Sequence, residues 1–115
     1  MNNTIAIQGI KGSFHHQVAK EYFTEYQNLD ECMSFIDLVN SLLAAKSDVG
    51  VMAIENSIAG SILPNHALID THNLQIIGEH YLTINQNLMV LPGQTIEEIT
   101  EVHSHPMALL QCQDF

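Results

Sequence analysis

Three stretches of this chain put Gly, Ser, Asn or His residues where an apolar run gives way to a helical pattern: Gly9 to Ser13, Glu55 to Ser61, and His103 to Pro106. In an open α/β sheet such turns line the carboxyl edge, and the helix N-termini beyond them present free N–H groups with a partial positive charge. The natural guest is a small organic anion. Any one of these turns is weak ground alone, because Ser and Gly there serve more often as plain helix caps. Glu55 ends the apolar run VGVMAI, and burial beside a neighbouring amide would favour its protonated form, making it an acid at neutral pH. The plainer alternative is an ionised carboxylate capping a neighbouring loop, and on the residues alone that alternative is favoured.

The histidines do not suggest a metal centre. His15 and His16 are adjacent and cannot share a helix face, His103 and His105 alternate, and neither HExxH nor a Cys/His ligand spacing occurs. Packing or solvated rings are the expectation. Lys11 stands between glycines in GIKGS, but the order GxxxxGK[ST] is missing, as is GxGxxG, so neither a nucleotide nor another cofactor is expected. Cys32 and Cys112 are far apart in apolar settings, which favours two buried thiols in a reducing compartment over a disulfide.

Thirteen acidic residues against three lysines (Lys11, Lys20, Lys46) and no arginine give a formal charge of -10 at pH 7. That balance argues against nucleic acid and anionic membrane as partners. It also requires any anion site to rely on backbone N–H groups, hydroxyls and at most one lysine. The opening MNNTIAIQGI has no basic start, and no apolar run approaches membrane-spanning length. The chain is expected to be soluble and cytoplasmic.

The elements that must hold these turns follow from periodicity. TIAIQ (4 to 8) is a β-branched strand run, and SFHHQVAKEYF carries Phe14, Val18 and Tyr22 at helical spacing. A strand or loop follows. Ser34 and Asp37 form a capping box ahead of a helix over 35 to 46. VGVMAIE after Asp48 has the apolar character of a strand buried on both faces of a parallel sheet, and Pro64 suits the first turn of a helix through about Thr71. This is the order of an α/β domain. Residues 74 to 91 are too long and too β-rich for one ordinary strand; with Gly78 as a break, they are expected to leave a first lobe (1–80) and enter the sheet of a second (81–115). A short capped helix at Thr95 to Glu98, a brief strand at Val102 to Ser104 and a helix from Pro106, cut by the chain end at Phe115, complete the expectation. At 115 residues there is room for one lobe and part of another.

Taken together, these segments resemble prephenate dehydratase along the whole chain. IQGIKGSFHHQVA is similar to that family's GPxGTFS-type start, with Ser13 where threonine is usual; VGVMAIENSIAGSI resembles its buried strand and ENS/ENT loop; HSHPMALLQC resembles its SHPxALxQC segment. GEHYLTINQNL resembles the stretch connecting its lobes, although Gln86 stands where histidine is common.

The resemblance implies a two-lobed catalytic domain of the type II periplasmic-binding-protein kind. The first lobe would be a three-layer α/β/α unit with a parallel-rich sheet, the second lobe would only begin here, and the substrate would lie in the cleft between them. Carried over position by position, Gly12, Ser13, Asn56, Ser57 and Gly60 would contact substrate from lobe one, with Ser104 and Gln111 facing them from lobe two. Glu55, Ser104 and Gln111 are the implied catalytic set, with Cys112 near them. The partner implied is prephenate, and the full-length enzyme is expected to be a homo-oligomer without metal or cofactor. The family's Thr-Arg-Phe motif, taken to supply a catalytic threonine, and its phenylalanine-sensing ACT domain do not occur in these residues. The piece alone is therefore expected to be inactive. The competing expectation is an effector- or solute-binding domain of the same fold, holding a small carboxylate without chemistry.

Overall fold

The computed structural model describes residues 3–26, 28–57 and 60–114. Ile58 and Ala59 of the ENSIAGS segment, and the chain end at Phe115, lie outside the described residues. The chain divides into two compact units, Met1–Leu82 and Thr83–Phe115.

The first unit is built on β1 (Thr4–Gln8). Successive strand residues face opposite sides, so Ile5 and Ile7 pack with Ala19, while Ala6 packs with Leu38 and Cys32 on the other side. β1 thus feeds two cores at once. The first contains α1 (Phe14–Tyr22) and the second α2 (Phe35–Leu43), so the helices lie on opposite faces of the sheet. β2 (Asn28–Cys32) and β3 (Val49–Val51) pair in parallel with β1 on either side, giving the order β2-β1-β3. The segment left open as strand or loop is therefore the strand β2. β3 is half-buried rather than buried on both faces, because it is an outer strand of the described sheet.

The caps of α1 and α2 are both serines. Ser13 Oγ accepts from the His16 N–H at 3.3 Å, and Ser34 Oγ accepts from the Asp37 N–H at 3.2 Å. α2 ends at Leu43, short of Lys46, because Ala45 takes a left-handed φ of 56° and the chain turns into β3. A buried polar cluster locks this turn to β2. The Ser41 hydroxyl donates to the Asp30 carboxylate and meets Ser47 Oγ at 2.7 Å, while Lys46 Nζ lies 3.1 Å from Asp30. The Ser41 hydrogen bond holds the Asp30 carboxyl below its usual value against the opposing pull of burial, with Lys46 adding to the effect.

After β3 the chain forms a small antiparallel hairpin, β4 (Glu55–Asn56) and β5 (Gly60–Ser61), and enters α3 (Leu63–Thr71) with Pro64 in its first turn. Residues 74 to 91 contain no strand. Their composition suits a pleated chain, but among the described residues no ladder partner receives them, and β-propensity expresses itself only through such partners. In the second unit Val102 to Ser104 likewise has no strand, Ile96–Glu98 is a single 3-10 turn, and α4 (Pro106–Gln111) closes with Cys112 as its C-cap. No helix among the described residues is long and apolar enough to cross a membrane.

Candidate functional site

Sheet order and helix placement set apart the carboxyl edge between β1 and β3. α1 leaves the carboxyl end of β1 on one face, whereas the chain leaving β3 reaches α3, which packs against α2 on the other face. Neighbouring strands whose connections depart to opposite faces define a topological switch point, and the gap between them is where open α/β sheets take ligands. The turns that follow these strands are Gly9 to Ser13 and Met52 to Ser57.

The first turn spends many of its donors internally. Gly9 takes a φ of 107° and its N–H donates to Cys32 O at 2.8 Å; Gly12, at a φ of 96°, donates to His16 Nδ1 at 2.8 Å. The Lys11 N–H donates to Glu31 Oε2 at 2.7 Å and the Ser13 N–H to Ile10 O at 3.0 Å. An incoming anion would meet a turn in which a carboxylate and an imidazole already occupy two backbone donors. The Ser13 side chain is likewise committed as the α1 cap.

The second turn differs from the expected strand-to-helix junction. Asn56, Ser57 and Gly60 sit on the β4–β5 hairpin ahead of α3 and not on its N-terminus, whose cap position is Ile62 with no side-chain hydrogen bond. The reason is local pairing: Glu55 faces Ser61 and Asn56 faces Gly60 across the hairpin. Gly60 holds a φ of 78°, and a Cβ there would meet no described atom within 4 Å, so the left-handed backbone, not crowding, favours glycine. Glu55 is exposed, with Ser61 Oγ donating to it at 3.4 Å. The burial that an acid role would draw upon is absent. Ser57 is exposed and Asn56 half-buried.

The base of this hairpin is held by two α3 residues that no sequence motif marks. The Asn65 amide donates to Ala53 O at 2.8 Å, and His66 Nε2 lies 3.2 Å from Ile54 O, which also accepts the Ile62 N–H at 2.8 Å. The available signal was Asn65 itself. It shares a helix face with Leu68 and Ile69, three and four residues on, which puts an amide at an inward position.

Ser104, Gln111 and Cys112 belong to the second unit. Ser104 is exposed and precedes His105, the α4 N-cap, whose Nδ1 accepts the Met107 N–H at 3.1 Å. Gln111 accepts from Gln86 Nε2 at 2.8 Å, and Cys112 is exposed rather than buried. Cys32 is buried, and burial pushes its thiol up to about 11. Of the paired histidines, His15 packs edge-on against Phe35 with ring centroids 5.4 Å apart, His16 is buried, and His103 and His105 are exposed.

A parallel sheet wound on both faces, with glycine turns flanking its switch point, is the architecture of α/β proteins that take small ligands at the carboxyl edge. The family model for prephenate dehydratase matches residues 5–115. The chain belongs to the prephenate dehydratase family. It is 34% identical over 110 residues to the chloroplastic arogenate dehydratase/prephenate dehydratase 2 of Arabidopsis thaliana, covering 96% of this chain and 29% of that protein. It is 37% identical over 110 residues to the bifunctional chorismate mutase/prephenate dehydratase of Buchnera aphidicola (93% and 29%), and 34% identical over 114 residues to that of Escherichia coli K12 (96% and 30%). The chain thus spans roughly three-tenths of the length of these relatives. No solved structure matches it significantly.

Proposed function

We propose that this chain is the first part of a prephenate dehydratase catalytic unit, which converts prephenate to phenylpyruvate in phenylalanine biosynthesis with loss of water and carbon dioxide. The observation that carries the reading is that Glu55, Asn56 and Gly60 of the family's ENSxxG segment follow the carboxyl end of β3, on the paired strands β4 and β5. Prephenate has two carboxylates and a ring hydroxyl, and losing carbon dioxide and water yields an aromatic ring, so the driving force is large. The protein must fix both anions, desolvate the ring carboxylate and give a proton or hydrogen bond to the departing hydroxyl.

Asn56 and Ser57 orient the substrate from the hairpin, Gly60 lets it approach the backbone, and Gly12 and Ser13 border it from the first turn. Ser104 and Gln111 act from a second lobe in a two-lobed fold of the type II periplasmic-binding-protein kind. Glu55 is exposed, so the proton for the leaving hydroxyl is assigned to the threonine of the Thr-Arg-Phe segment, with Glu55 an orienting charge. The enzyme works in the cytoplasm as a homo-oligomer, without metal or cofactor. The test is phenylpyruvate formation from prephenate, assayed on residues 1–115 and on a chain extended through the Thr-Arg-Phe segment. The extended chain is expected to turn over and the short one not to. Robust turnover by residues 1–115 overturns the assignment of the proton donor.

A further inference from the structure

We infer that Asn65 and His66 are positioning residues for the substrate-facing hairpin, acting through the backbone of Ala53 and Ile54; the inference rests on the dehydratase reading of Asn56 and Ser57. Two neighbouring residues of α3 reach two consecutive carbonyls of the segment that launches β4, at 2.8 and 3.2 Å. Ile62, the residue at which α3 begins, bonds the second of these carbonyls as well. Asn65 is only 2% exposed. A buried primary amide is costly unless its hydrogen bonds are made, and the acceptor it finds lies two residues before Glu55. Ala53 and Ile54 belong to no strand; the Ala53 carbonyl is taken by the Asn65 side chain, while that of Ile54 is shared between the Ile62 N–H and His66. The β4 and β5 strands are therefore clamped at their base by the first turns of α3, whose N-cap Ile62 makes no side-chain hydrogen bond. Whatever angle α3 takes against the sheet is passed to Asn56 and Ser57.

The test compares Asn65→Asp, Asn65→Leu, His66→Ala and Asn56→Ala by amide hydrogen exchange and by prephenate kinetics in the extended chain. Asn65→Asp keeps the side-chain shape and size without the amide donor, Asn65→Leu keeps its branching without any polar atom, and His66 is exposed, so its loss leaves the core intact. The expected result is exchange at Asn56 and Ser57 about tenfold faster relative to Ala6 and Ile7 of β1, with KM raised by a similar factor and kcat changed less, as removal of one neutral hydrogen bond allows. Uniform acceleration across β1 and the hairpin would assign the pair to general stability and overturn the inference. If Asn56→Ala cripples turnover while Asn65→Leu and His66→Ala do not, the positioning role falls and the site reading stands. If Asn56→Ala is silent, the site reading falls and takes this inference with it.

Discussion

His15 Nε2 is a buried side-chain nitrogen with no hydrogen-bond partner among the described residues, and its ring packs edge-on against Phe35. Burial pushes the His15 pKa below the ordinary 6.5. The unfolded chain then protonates this ring at higher pH than the folded one. The ring's contribution to stability is whole above pH 6.5 and is lost as pH falls through the lower folded value. The melting temperature is expected to fall on acidification from pH 7, and His15→Leu to fall less steeply; parallel curves would show that burial of this ring does not set the slope. At Asn56 and Ser104 the chemical and structural roles separate by measurement. If they hold the substrate's charged groups, Asn56→Ala and Ser104→Ala in the extended enzyme should each lower kcat/KM on the order of ten- to a hundred-fold, since a hydrogen bond to a charge is worth about 1.5–3 kcal/mol. If they only stabilise turns, melting shifts while efficiency per folded molecule stays normal.

At the scale of elements, what was legible had a local cause. β1 follows from its β-branched run, α1 and α2 from apolar spacing and their serine caps, and α3 from Pro64. β2 was not legible, because NLDEC has no alternating apolar pattern; its place is decided by full register with β1 and by the tie of Asp30 to Ser41 and Lys46. The opposite error occurred at residues 74 to 91, where β-rich composition met no strand partner. The hairpin was recognisable as a turn from Asn56, Ser57 and Gly60, yet not as a hairpin, since its two paired positions are too few to leave a periodic pattern and its base is held by Asn65 and His66 in a helix that shows no chemistry by pattern. Gly50 illustrates a role that only packing reveals. A Cβ there would lie 2.9 Å from Leu38 Cδ2 and 3.2 Å from Leu42 Cδ1. Gly50→Ala is expected to destabilise the first unit by about 1–3 kcal/mol through overpacking, read as a lower urea midpoint; an unchanged midpoint would mean that the leucines yield freely.

Over the whole molecule, these residues offer an anionic ligand three lysines and no arginine, and two backbone donors of the first turn are already taken by Glu31 and His16. The first unit holds the parallel sheet and its two cores, and the second holds one six-residue helix and a single 3-10 turn among its described residues. The middle position of β1 has a further consequence. It precedes both of its partners in the chain, so a ribosome releases the central strand before either flank. β2 emerges to find its template already made, and β3 arrives after α2 to close the other side. The sheet can therefore grow outward in the order of translation, and no early strand has to wait, exposed on both edges, for a centre that comes later.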